Sequence, residues 1–264
     1  MYYKFITYTR QLYKCKSNKK LQKIVKVGDK SVKEDGKSIG ALVSPNTTLE
    51  EQYLLQKIIR GLGSNNIDHR LRQTDFNNQE LTPLFPNFGI NLDELENQSG
   101  ILLIGSNIHK EQPIIGLRLR KATQRGALVF TLNPADFKFN FDVDENITAK
   151  PEAITSELAC IAKAFLDKSK KAGPDGAKEL LASAKPSEQH KQIAKKLFGL
   201  ENRYILIGSL CESHSEYSSI IALANLISNI TKSKLGVLTT GANAAGAWIS
   251  GCVPHREFGG KKLT

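Results

Sequence analysis

The sequence predicts an α/β protein with a parallel sheet and two lobes, and two observations carry that prediction. Short apolar runs end on a glycine–serine pair at two places, Ile104-Gly105-Ser106 and Ile207-Gly208-Ser209. Each pair is followed by an amphipathic stretch and then by another short apolar run, the strand–helix–strand order of a right-handed parallel crossover. Ligands of such sheets sit beyond the carboxyl ends of the strands, so Gly105-Ser106-Asn107 is where a phosphate-bearing cofactor would be held.

Taken in order, residues 1–37 form a basic leader with neither helix nor strand periodicity, expected to be loosely ordered. Ile39–Val43 reads as a short buried strand broken by Ser44-Pro45-Asn46. Thr47 and Glu50 are placed to form a capping box. The helix they open carries Leu49, Tyr53, Leu54, Ile58 and Leu62 at helical spacing, and Gly61 and Gly63 close it. Ser64–His69 reads as a polar loop, and Arg70–Asn97 as loop-rich with a short helix near Leu92–Leu95.

Ile101–Ile104 is the central buried strand, and Pro113 opens the helix after it. Ile114, Leu117 and Ala122 are expected on one face of that helix and Arg118, Lys121 and Arg125 on the other. Gly126 ends it, and Ala127–Leu132 is the next strand. Phe137, Phe139 and Phe141 alternate in the segment that follows, as an edge strand or as an aromatic plug. Pro151–Leu166 is a helix with Ile154, Leu158, Ile161 and Phe165 inward, and Ser187–Phe198 is another with Ser187 as its cap. Tyr204–Ile207, Tyr217–Ile230 and Leu235–Leu238 form the second strand–helix–strand unit. The lobes expected from this order are roughly 38–150 and 151–264.

A chain of 264 residues with 40% hydrophobic content can bury a substantial core. Its apolar runs are too short to cross a bilayer, and its start lacks the compact apolar core and cleavage site of a secretory signal. Cys15, Cys160, Cys211 and Cys252 lie far apart without a CxxC pair, which excludes familiar zinc or iron–sulfur spacings and fits reduced, packed thiols. Of the net charge of +11, residues 1–37 hold +8, from eleven Lys or Arg against Asp29, Glu34 and Asp35, which leaves +3 for the rest. The charge therefore marks a basic leader rather than a folded nucleic-acid face, and specific nucleic-acid recognition is not expected.

Three groups of residues carry a family resemblance. Gly105-Ser106-Asn107 with Glu111-Gln112-Pro113, Asn65-Asn66-Ile67-Asp68-His69, and Gly241-Ala242-Asn243 resemble the pterin-nucleotide loops of molybdopterin oxidoreductases. Within that superfamily, Thr48–Tyr53, His69–Phe76, Lys110–Pro113, Gly241–Trp248 and Gly251–Arg256 resemble the G subunit family of NADH-quinone oxidoreductase, the 75-kDa subunit of respiratory complex I. The resemblance runs from about Gly36 to the end of the chain. It implies a partial molybdopterin-oxidoreductase-like fold over 38–264, and an internal fragment of a larger subunit. The iron–sulfur clusters of that subunit lie on cysteine-rich domains ahead of this region. The implied partners are other peripheral-arm subunits, and the implied location is the cytoplasmic side of the inner membrane, reached only through the complex.

The resemblance also assigns vestigial pterin-nucleotide-binding residues: Asn65, Asn66, Asp68, Gly105, Ser106, Asn107, Asn133, Gly241 and Asn243. In molybdoenzymes of the superfamily, a Cys, selenocysteine or Ser shortly after the Asn-Asn-x-Asp loop binds the metal. Counting from Asn65 along that pattern arrives at Thr74, whose un-ionised hydroxyl is a poor ligand where a thiolate suits the metal. The expectation is a scaffold with no metal, no cofactor and no catalytic residue of its own. Two alternatives remain: a molybdopterin-dependent oxidoreductase that binds a pterin dinucleotide, and a nucleic-acid or anionic-surface binder acting through residues 1–37. His69 and His109 lack a partner at motif spacing and read as local hydrogen-bonding imidazoles, with Asp68, His69 and Arg70 as an ion-pair turn. Gly241–Gly246 has glycines five apart and fails the dinucleotide fingerprint.

Overall fold

The computed structural model describes residues 5–7, 38–170 and 173–263. Its architecture is mixed α/β with two parallel sheets, divided into two compact units. The first unit comprises Met1–Leu71, Glu80–Phe85 and Thr240–Thr264, and the second Arg72–Gln79 and Pro86–Thr239.

The first unit is built on a three-stranded parallel sheet, β1 (Phe5–Thr7), β2 (Gly40–Leu42) and β3 (Asn66–Asp68), in that spatial order. The loop expected over Ser64–His69 thus contains a strand, paired Gly40↔Asn66 to Leu42↔Asp68. Three residues with one apolar member are too few to show strand periodicity. Apart from β1, the basic leader lies outside the described residues. Helix α1 (Leu49–Gly61) starts one residue later than predicted: the capping box is Thr48 with Glu51, while Thr47 Oγ1 donates to the Ser44 carbonyl. Its phase also differs. Gln52, Leu55, Gln56 and Ile59 are buried, while Leu49, Leu54 and Ile58 are exposed. Gln52 goes inward because its amide reaches the Thr47 and Asn243 carbonyls, so that a buried polar group is satisfied.

The second unit holds a five-stranded, all-parallel sheet in the order β6-β5-β4-β7-β8. Its strands are β4 (Gly100–Ile104), β5 (Leu128–Asn133), β6 (Glu145–Thr148), β7 (Arg203–Ile207) and β8 (Lys234–Val237). All five residues of β4 are buried, as expected of a central strand covered on both faces. Leu102 and Ile104 enter the core formed with α4 (Ile154–Ser169), α6 (Glu188–Phe198) and α8 (Tyr217–Thr231), while Ile101 and Leu103 enter the core under α3 (Pro113–Gln124). A lobe boundary near residue 150 is not adopted, because the free edges of β4 are taken by β5 on one side and by β7 on the other.

Helix α3 is rotated from the predicted phase. Ile115, Leu119 and Ala122 are inward, whereas Ile114 and Leu117 point to solvent. The inward stripe is Ile115, Leu119 and Ala122 at helical spacing, and the nearly buried Glu96 carboxylate binds Arg118, Lys121 and Arg125 beside it. Of the two readings for the alternating phenylalanines, the plug holds. Phe139 and Phe141 stack on each other at 5.1 Å and pack over the α3 core, and the edge strand is the later β6. Two short helices, α2 (Ile108–Glu111) and α7 (Ser209–Glu212), follow the glycine–serine turns directly. A further short helix, α5 (Lys178–Ala182), lies between α4 and α6, and α9 (Ala244–Ile249) belongs to the first unit. Among the described residues, no helix is long and apolar enough to cross a membrane.

Candidate functional site

In the second unit the sheet changes direction between β4 and β7, and their carboxyl ends carry the two glycine–serine turns. This is the topological switch point, where a parallel sheet opens a crevice to ligands. Gly105 has φ +61°, and a side chain there would overlap Cys211 Sγ. A side chain at Gly208 would overlap the Gly105 carbonyl and Ser106 Cβ, so the two turns touch backbone to backbone.

The turn amides are already engaged by the protein. Ser106 N donates to Asn133 Oδ1 at 2.8 Å, and Asn107 N donates to Glu111 Oε1 at 2.9 Å. The other Glu111 oxygen accepts from Ser106 Oγ at 3.2 Å and from Ser209 Oγ at 2.5 Å. Asn133 is fully buried, and its Nδ2 has no hydrogen-bond partner among the described residues. Four predicted residues, Gly105, Ser106, Asn107 and Asn133, thus converge on one turn. Below it, Cys211 is buried, its thiol donates to the Ile104 carbonyl at 3.6 Å, and burial together with the Glu111 charge pushes its pKa up to about 12.

Thr74, the residue expected at the metal-ligand position, is exposed and donates its hydroxyl to the Ser213 carbonyl at 3.2 Å. Its neighbour Asp75 turns inward and accepts from Ser218 N at 2.8 Å and Ser218 Oγ at 2.6 Å. Among the described residues, no group of three His, Cys, Asp or Glu side chains could hold a metal ion.

The other five predicted residues lie in the first unit. Asn65 precedes β3, and Asn66 and Asp68 lie on it. Asp68 Oδ1 accepts from the amides of His69 and Arg70 at 2.7 and 2.9 Å, and its carboxylate pairs with the Arg70 guanidinium at 2.7 Å. Burial works against the Asp68 carboxylate, but these bonds outweigh it and hold the pKa below the ordinary value. Gly241 (φ +100°) and Asn243 dock elsewhere, on Pro45–Gln52, with Asn243 Nδ2 donating to the Thr47 carbonyl at 2.9 Å. His69 Nδ1 lies 2.9 Å from the Cys252 carbonyl, so that nitrogen carries the proton. His109 Nε2 accepts from Asn140 N at 3.0 Å, which makes it a structural imidazole as expected.

Set beside known proteins, residues 21–262 match the family model described as molybdopterin oxidoreductase. The chain belongs to the molybdopterin oxidoreductase family. Among curated members and relatives, it is 28% identical over 263 residues to the alpha subunit of the F420-dependent formate dehydrogenase of Methanocaldococcus jannaschii, covering 85% of this chain and 38% of that protein. It is 26% identical to the second NADH-quinone oxidoreductase G subunit of Rhizobium meliloti, over 83% of this chain and 27% of that protein. The NADH-quinone oxidoreductase G subunit of Mycobacterium bovis is 34% identical over 102 residues, 36% of this chain and 12% of that protein. The chain therefore spans well under half the length of these relatives. The solved formyltransferase/hydrolase complex of Methylorubrum extorquens, in complex with methylofuran, aligns at TM-score 0.43 and 13% identity over 88% of this chain and 56% of that one, too slight a likeness to carry an argument.

The turn expected from the resemblance to hold a pterin nucleotide fits that ligand poorly. A diphosphate needs free amides and positive charge, whereas this turn holds a carboxylate on its own amide and hydroxyls. In the sequence, Glu111 stands within a family motif and carries no role of its own. The available signal was its spacing, four residues after Asn107, which lets a carboxylate reach back to a turn amide much as in a capping box. Asp75 carried no such signal, since its partner Ser218 is 143 residues away.

Proposed function

We propose that this chain is the scaffold part of a component of NADH-quinone oxidoreductase of the 75-kDa type, contributing to NADH-to-quinone electron transfer without a redox centre of its own. The observation that carries this reading is Thr74. The position where the resemblance places a metal ligand holds a threonine, whose un-ionised hydroxyl is a poor ligand where a thiolate suits the metal, and that hydroxyl donates to the Ser213 carbonyl. Cys211 is not offered in its place: it is buried under the β4 turn with its thiol on the Ile104 carbonyl. The likeness to the NADH-quinone oxidoreductase G subunits of Rhizobium meliloti and Mycobacterium bovis supports the same reading. Its partners are then other peripheral-arm subunits, it meets the membrane only through them, and iron–sulfur clusters belong to other parts of the component.

A second reading is a molybdopterin-dependent oxidoreductase, and the match to the formate dehydrogenase alpha subunit over 85% of this chain favours it. Purifying the tagged full-length chain from its host separates the two. Co-purification with NADH-oxidising, quinone-reducing activity is expected, and co-purification with formate oxidation instead would replace the first reading by the second.

A further inference from the structure

The Glu111 side chain sits where an external anion would bind at the switch point, and it makes the contacts such a ligand would make. It bridges both crossovers, taking Asn107 N and Ser106 Oγ from the β4 turn and Ser209 Oγ from the β7 turn. Its placement is not an ordinary helix cap, because α2 spans only Ile108–Glu111 and Glu111 is its last residue. Beside it, the fully buried Asn133 offers an amide nitrogen that no group among the described residues accepts. A buried donor left without a partner is costly, so the turn retains a donor suited to a ligand oxygen while its own carboxylate covers the rest.

We propose that Glu111 is an internal anion that closes this turn, and that the turn is a latent site for a diphosphate-class anion from which Glu111 excludes external ligands. Two negative groups cannot share Asn107 N and the serine hydroxyls: the carboxylate consumes the donors and repels the second charge. With the carboxylate removed, Asn107 N, Ser106 Oγ and Ser209 Oγ lose their shared acceptor, and Asn133, whose Oδ1 holds Ser106 N, carries a further donor in Nδ2. This inference deepens the scaffold reading and rests on it, but it concerns the turn rather than the metal position.

The test is calorimetric titration of inorganic pyrophosphate into the full-length wild type, Glu111→Ala and Glu111→Gln, with circular dichroism melts to establish folding. The expected result is no saturable binding by wild type and binding at least about tenfold tighter by Glu111→Ala, with Glu111→Gln between them. Wild-type binding as tight as that of Glu111→Ala overturns the proposal, as does no binding by folded variants. Where the variants fail to fold, the amide resonances of Ser106 and Asn107 in the wild type decide. They stay in place on adding pyrophosphate if Glu111 closes the turn, and a saturable shift of both overturns it. Molybdenum or pterin found on the purified chain would overturn the scaffold reading, whereas these titrations report on the turn alone.

Discussion

Asp75 caps α8 from a distant loop: its carboxylate accepts both Ser218 N at 2.8 Å and Ser218 Oγ at 2.6 Å. The helix has no side-chain cap of its own, since Glu216 at its start makes none. An N-cap is worth about 0.5–2 kcal/mol, and here one acceptor satisfies two donors. Asp75→Ala should therefore lower stability by about 1–2 kcal/mol. A urea midpoint unchanged from wild type would show that α8 does not depend on Asp75.

The backbone contact at the switch point gives a paired prediction. Gly208→Ala forces a methyl group into the Gly105 carbonyl and Ser106, an overpacking that costs about 1–3 kcal/mol. Gly61, at the end of α1, has open space around it, so Gly61→Ala should stabilise by about 0.5–1 kcal/mol through helix propensity. Thermal melts of the two variants should move in opposite directions, and a shared direction would contradict the packing at the turn.

Acid should destabilise the chain in two steps. Burial holds His69 below its ordinary pKa, and burial together with Arg70 and Arg256 does the same for His255. The unfolded chain therefore takes up these protons first, and the stability present above about pH 6.5 is lost as pH falls towards the lowered folded values. Asp68 is also lowered, through Arg70 against the opposing effect of burial, so its contribution is lost only below about pH 4. Urea unfolding from about pH 7.5 to about pH 5 should show falling stability, with a smaller fall in His69→Gln. A flat profile over that range would refute the assignment.

The buried thiols should be silent. Burial pushes Cys252 up to about 11 and Cys211 to about 12, so neither supplies thiolate at neutral pH. Native labelling followed by mass spectrometry should modify Cys160 and leave these two intact until denaturant is added. Rapid native labelling of Cys211 would mean that the strand-end turn opens.

The crossovers were legible because buried parallel strands leave continuous apolar runs, and Ile101–Ile104 and Tyr204–Ile207 are such runs ending on glycine. The pairing of β4 with both β5 and β7 was not legible, since nothing local to residue 150 records which edge a later strand takes. Helix phase failed in two ways: in α1 a polar residue, Gln52, turned inward by bonding the Thr47 and Asn243 carbonyls, and in α3 the apolar stripe that packs is Ile115, Leu119 and Ala122 rather than Ile114 and Leu117. In the candidate site, four residues predicted from resemblance met at one turn, but the side chain that decides the turn's chemistry, Glu111, was visible only once its contacts were.

The proposed scaffold role stands or falls on whether a chain whose β4 turn closes on its own Glu111 carboxylate carries a cofactor. The most direct measurement is the molybdenum and acid-released pterin content of the full chain, purified from its host grown with ample molybdate. Background levels of both are expected, and near-stoichiometric molybdenum or pterin would contradict the central claim.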